Sequence, residues 1–186
     1  MLSINKIRAN ETIDHAAQEL RKYLRMMMPR AGEIPVSFDP AATTGFRLGL
    51  MSDFGLDTSD AADLELDDIV YIDTDEQGGI IAGDNPRSVL LAVYEYLRQN
   101  GCRWLFPGVD GEYIPLKDIT PVKYRFKPSM RYRGQCNEGA EFQQNMLDVI
   151  DFQPKIGMNV YMLEFDNPKA YYDAYYDHRG NNTNRE

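Results

Sequence analysis

The sequence predicts an α+β protein: a mixed sheet with two helices packed on it, followed by a separate strand–helix–strand unit. Three observations carry this. Residues 79–108 (GIIAGDNPRSVLLAVYEYLRQNGCRWLFPG) read as a strand, a helix and a strand with every boundary marked. Residues 130–165 repeat that order. Between them, around residues 127–130, the acidic character lapses and Lys123, Arg125, Lys127, Arg131 and Arg133 follow closely, which places a boundary there. The expected division is residues 1–127 and 128–186.

Composition sets the outer bounds. A chain of 186 residues with 43% hydrophobic and 26% charged residues has enough apolar material for a packed core. A net charge of −9 argues against nucleic-acid and anionic-membrane partners, because phosphate binding is largely electrostatic. No apolar stretch follows the charges of the N-terminus, and no run approaches membrane-spanning length, so neither a secretion signal nor a membrane segment is expected. Cys102 and Cys136 are too few for a disulfide framework. Free thiols and a cytoplasmic location follow as expectations.

In chain order, residues 2–7 (LSINKI) alternate as a first strand. Asn10 or Thr12 then caps a helix whose buried stripe is Ile13, Ala16, Ala17, Leu20, Tyr23, Leu24 and Met27, leaving His15 in water. A loop punctuated by Pro and Gly holds a short strand at residues 36–38, and residues 46–51 (FRLGLM) form the next strand. The acidic run 53–68 lacks the glycine and distant glutamate of a calcium-binding EF-hand loop and reads as a solvated loop. Residues 68–75 and 80–82 are strands joined by a turn containing Gly78 and Gly79. Asp84 or Asn85 caps the second helix, with Pro86 at its first position. Val89, Leu90, Val93, Tyr94 and Leu97 form its buried face, Arg87, Glu95, Arg98 and Gln99 its wet face, and Asn100-Gly101 its stop. Residues 102–106 (CRWLF) are apolar enough to be a strand under that helix. Short extended pieces follow at 111–114 and 119–126.

Beyond the boundary, MRYR at 130–133 reads as a strand. A helix then runs to about Gly157 through Phe142, Met146, Val149, Ile150 and Phe152, with Pro154 near its end, and a second apolar strand spans 159–165. A strand, a helix and a strand in this order is how a (β/α) barrel opens.

The segments NPRSVLLAVYEYL, GCRWLFPG and GEYIP resemble the small non-catalytic α+β domain that precedes the catalytic barrel in β-hexosaminidases and α-glucuronidases. RYRG followed by MLDVIDFQPKIGMN is similar to the first barrel unit of the same glycosidases. The resemblance implies a glycoside hydrolase in which this part is non-catalytic and braces the barrel. It implies a carbohydrate substrate, a uronic acid or N-acetylhexosamine glycoside, and no cofactor. It also places Arg133 where those enzymes have an arginine near the end of the first strand that binds substrate hydroxyls.

Glycoside hydrolysis needs two carboxyl groups, or one and a substrate acetamido group, and the later barrel strands that carry them are not in this sequence. Glu164 and Asp166, at the end of the second strand, are candidate sugar-hydroxyl contacts, or strand-end carboxylates that meet a lysine or arginine. Tyr171, Tyr172, Tyr175 and Tyr176 suit a sugar-stacking surface, a buried helical stripe or a docking loop equally. His15 and His178 stand apart, without H-E-x-x-H or paired cysteines, so no zinc site is expected. G-x-G-x-x-G, a phosphate-binding Walker loop and G-x-S-x-G with a suitable histidine are absent as well. A glycan-binding or scaffolding module without hydrolytic activity is the rival reading.

Overall fold

The computed structural model describes residues 2–137 and 143–163. β1 (Ile4–Lys6) leads into α1 (Glu11–Met27). Asn10 caps α1, its side-chain oxygen accepting from the backbone N–H of Thr12 at 2.9 Å and of Ile13 at 3.3 Å. Glu11 and Asp14 add negative charge at the positive end of the helix dipole. The buried stripe is Ile13, Ala16, Ala17, Leu20, Tyr23, Leu24 and Met27, as the spacing predicts, and His15 is exposed. Each of the larger side chains in it contributes about 2 kcal/mol by leaving water.

β2 (Val36–Phe38), β3 (Phe46–Leu50), β4 (Val70–Asp75) and β5 (Gly78–Gly83) follow, with a 3₁₀ turn at Met51–Phe54 after β3. Next come α2 (Pro86–Gln99), β6 (Arg103–Trp104), β7 (Glu112–Tyr113) and β8 (Val122–Phe126). The main sheet has six strands in the order β2-β1-β3-β5-β4-β8. β2, β1, β3 and β5 are mutually parallel, and β4 runs antiparallel to both β5 and β8. The protein is therefore α+β with a mixed sheet. α1 and α2 cover one face, burying Ile4, Phe46, Leu48, Ile72, Ile81 and Val122 beneath them. The other face carries only a small cluster around Met51, Ile69 and Ala82.

Two expectations change here. The turn between β4 and β5 is Glu76-Gln77, with Gln77 N–H held by Asp75 Oδ1 at 2.7 Å, and the two glycines lie inside β5. They are needed there because both have positive φ, +132° at Gly78 and +136° at Gly79. A Cβ on Gly78 would strike the backbone of Gly45, and one on Gly79 the carbonyl of Asp73. The strand expected at 102–106 shortens to β6, which pairs only with β7 in a separate two-stranded sheet. Gly111 packs its backbone against Phe106 and closes that hairpin, leaving Leu105 and Phe106 exposed.

α2 is capped by Asn85, whose side-chain oxygen accepts from Ser88 N–H at 3.0 Å, and it stops at Asn100 and Gly101 (φ +99°). It is buried more widely than a one-faced helix. Leu91, Ala92 and Tyr96 join Val89, Val93, Tyr94 and Leu97 in the core, while Leu90 is half-buried. The sheet lies beneath it, α1 on one flank and a third helix on the other.

That helix is α3 (Gln143–Lys155), between β9 (Gly134–Asn137) and β10 (Val160–Leu163). β9 and β10 pair in parallel as a sheet of their own. β9 thus begins just after the expected MRYR segment, which is an irregular connector. Met146, Val149 and Phe152 of α3 are buried as expected, and Phe152 enters the main core, but Ile150 is 45% exposed. The end of the 159–165 strand, Phe142, Glu164, Asp166, the tyrosines and His178 lie outside the described residues.

Gly79→Ala is expected to lower stability by more than ~2 kcal/mol, since it adds a steric collision to a backbone conformation that side chains rarely adopt. Urea unfolding followed by circular dichroism measures it, and an unchanged midpoint would contradict this account of β5.

Candidate functional site

The described charges gather where the acidic run meets the basic connector. Asp68 precedes β4, and its carboxylate is completely removed from solvent. Its Oδ1 accepts from Arg87 Nε at 2.9 Å and from Ser88 Oγ at 3.0 Å, both on the first turns of α2. Its Oδ2 accepts from Arg133 Nη2 at 2.8 Å and Asn159 Nδ2 at 2.6 Å, on the connector ahead of β9 and the one ahead of β10. One carboxylate therefore ties the main sheet, α2 and the β9–α3–β10 unit together. Arg87, read from sequence as a water-facing residue, is half of this clamp.

Asp67, also buried, does similar work, whereas residues 53–66 stay at the surface as a solvated loop would, with none of them buried. Asp67 Oδ1 accepts from Arg131 Nε at 2.9 Å, and its Oδ2 accepts from the N–H groups of Ala62 at 2.8 Å and Asp63 at 3.2 Å. Asp60 receives Arg125 Nη2 at 2.7 Å, and Asp53 is held by Arg8. The hydrogen bond from Arg131, with those from the two backbone groups, draws the Asp67 carboxyl down to about 2. Asp84 goes the other way: burial pushes its carboxyl above the ordinary range and the nearby Asp68 charge adds to this, against hydrogen bonds from Ser88 and Ile69. The Ser88 hydroxyl, with one hydrogen, has Asp84 Oδ1 at 2.7 Å, Asp68 Oδ1 at 3.0 Å and Asn85 Oδ1 at 3.0 Å around it.

A second buried pair lies at the end of α3. Lys155, at the end of α3, is 4% exposed and donates to Glu112 Oε1 at 2.9 Å and Asp151 Oδ2 at 2.6 Å. Glu112 Oε1 also accepts from the Tyr23 hydroxyl at 2.6 Å and Trp104 Nε1 at 3.2 Å. Desolvation by itself would lower the Lys155 pKa, but the hydrogen bonds to Asp151 and Glu112 outweigh it and hold the ammonium above its ordinary value. Burial likewise opposes ionisation of Glu112, and the bonds from Tyr23 and Lys155 keep it below the usual range. Tyr23, Tyr94 and Trp104 pack edge to face around this group, with centroids 5.1 to 6.4 Å apart. Both pairs join residues on opposite sides of 127–130, so the composition change marks a change of sheet within a shared core.

Between α2, β8 and the Arg133 connector lies a cleft of about 450 Å³. Asp68 and Arg133 form part of its floor, Glu95 and Arg98 one wall, and Tyr124 and Phe126 another.

The expected site residues are placed as follows. Arg133 stands immediately before β9, at its N-terminal end, whereas a barrel binds substrate at the C-terminal ends of its strands. All three of its guanidinium nitrogens have protein acceptors: Nε on Gly157 O, Nη1 on Met130 O and Arg131 O, and Nη2 on Asp68. This geometry makes Arg133 an internal clamp. Glu164 and Asp166 lie outside the described residues. Cys102 is buried, which pushes its thiol up to about 11, and Cys136 is exposed; both are free. Among the described residues no cluster of His, Cys, Asp or Glu could hold a metal ion, and no helix is long and apolar enough to cross a membrane. No family model matches the chain, and no curated protein is significantly similar to it.

Sequence reasoning missed Asp68, Ser88, Glu112 and Lys155. Only Lys155 left a local signal, since it stands four residues after Asp151 on the same helix.

Arg133→Ala is expected to cost about 3 kcal/mol, because it leaves the Asp68 carboxylate buried with one of its two arginine partners gone. Asp68→Asn combined with Arg133→Ala should cost less than the sum of the two single changes, and additive urea midpoints would show that the pair does not interact. Asp67 titrates near 2 when folded and near its ordinary 3.8 when unfolded, so its share of stability is complete above about pH 4. That share is lost as pH falls toward 2. Asp67→Asn should flatten the fall in urea midpoint across this window, and an unaltered slope would remove Asp67 from the account.

Proposed function

We propose that this chain is the opening part of a glycoside hydrolase, in which residues 1–127 brace a (β/α) barrel and β9–α3–β10 is that barrel's first unit. The observation that carries the reading is the parallel pair β9–β10, which no other described strand joins. Parallel strands occur almost always in larger sheets covered on both faces, yet β9 and β10 form a sheet of two. Gln135, Cys136 and Met162 on it are exposed, and Leu147 and Ile150 give α3 a second apolar face away from its buried one. A helix with apolar residues on two sides and a parallel pair whose outer edges meet no described strand suit a site where further strands and helices are added.

The segments that resemble the non-catalytic domain of β-hexosaminidases and α-glucuronidases support the same reading. NPRSVLLAVYEYL is the central helix α2, and the Trp104 of CRWLFPG packs between Tyr23 and Tyr94 on the side that receives α3. In this reading hydrolysis belongs to later strands, and the part described here sets where the barrel begins. Arg133 fixes the first strand from below. Glu164 and Asp166, which follow β10 in sequence, are the sugar-hydroxyl contacts of this reading.

The test uses the protein purified from its native cell. Its intact mass should exceed 21.3 kDa severalfold, and it should hydrolyse at least one aryl uronide or N-acetylhexosaminide, with Glu164→Gln in that protein raising KM. A native product of this mass, or a longer one inactive on every glycoside offered, would end the hydrolase reading.

A further inference from the structure

We propose that the cleft beside α2 is a binding site for one uncharged sugar ring, held by the described residues themselves and independent of any barrel. Its volume, about 450 Å³, lies in the range of small-ligand sites. One wall is aromatic: Tyr124 and Phe126 lie with ring centroids 6.2 Å apart, tilted by 38°. Phe126 is 49% exposed and Met130, at the rim, 69% exposed, so the mouth presents apolar surface that nothing in the described structure covers. The C–H faces of a pyranose ring pack on such a surface.

The charges of the cleft select against ions. Asp68 and Arg133 neutralise each other on the floor, at 2.8 Å, and Glu95 and Arg98 do so on the wall, at 3.1 Å. The floor pair has its hydrogen bonds filled by protein. Arg98 does not: only its Nη1 has an acceptor among the described residues, leaving the other nitrogens as donors toward the cleft. Glu95 is held in place from its far oxygen by Gln99 Nε2 at 2.6 Å, so its other oxygen stays beside Arg98. Burial pushes the Tyr124 phenol above its ordinary value, with the Glu95 charge adding and Arg98 opposing, so it remains a neutral hydroxyl able to give and take a proton. Alternating donors and acceptors with no net charge, next to an aromatic wall, match the hydroxyls of a sugar, each of which donates and accepts. A sugar acid would bring a charge with no free counter-charge to meet it.

The experiment is a titration of the ¹⁵N-labelled chain with methyl glucopyranoside, methyl galactopyranoside and N-acetylglucosamine, each up to about 50 mM, a ceiling set by millimolar affinity. At least one should shift amide signals of residues 91–98, 124–133 and 156–157 in a saturable way, and glucuronate should bind more weakly than that sugar. Arg98→Met and Tyr124→Phe should each weaken binding about fivefold, the effect of roughly one hydrogen bond. Both side chains are partly exposed, and an otherwise unchanged spectrum verifies that each variant is folded. No saturable shift with any of the three sugars, shifts that map elsewhere, glucuronate binding best, or full affinity in both variants would overturn the proposal. Because the titration needs no catalysis, its failure leaves the hydrolase reading standing, and an inactive parent protein leaves this one standing.

Discussion

The fold turns on a buried carboxylate that has to be answered from two directions. Asp68 sits at the entry to a central strand with its side chain out of water, where an ionised group is tolerated only if every oxygen is hydrogen-bonded and the charge is paired. Arg87 and Ser88 answer from α2, and Arg133 and Asn159 from the connectors of the β9–α3–β10 unit. Because an arginine offers directed donors, this pairing fixes orientation as well as distance. The parallel pair therefore leaves the main sheet in one set direction, and that direction determines where its open edges face.

α2 transmits this constraint across the molecule. Its first turn holds the Asp68 clamp, its middle fills the core, and its far flank meets α3, where Lys155 closes on Glu112 beneath Tyr23 and Trp104. Two buried ion pairs, Asp68–Arg133 and Glu112–Lys155, leave the second unit little freedom to rotate. A pair of short parallel strands could not supply that rigidity alone.

The same geometry makes the cleft. Once the connector carrying Met130 and Arg133 is drawn onto Asp68, it passes over β8 and the end of α2 and walls off the space in front of Tyr124. The cleft exists because the clamp holds, so its polar floor is rigid and already satisfied. Recognition is then left to groups on the wall, Arg98, Glu95 and Tyr124.

By itself the sequence determined whatever depends on neighbours within a few residues. The seven-residue stripe of α1, the Asn10 and Asn85 caps, the stop at Gly101 and most strands were legible, because helix periodicity and capping act over one or two turns. Only the tertiary structure decided which charges meet. Arg133 and Asp68 are 65 residues apart, and Asn159 and Asp68 91 apart, so no local pattern couples them. Asp67 and Asp68 therefore read as the end of a solvated loop, and an arginine that clamps the interior read as a sugar contact. The placement of β9 one segment later than expected has the same origin: MRYR has the composition of a strand, but its arginine side chains are turned to Asp67 and Asp68, and the regular ladder with β10 begins at Gly134.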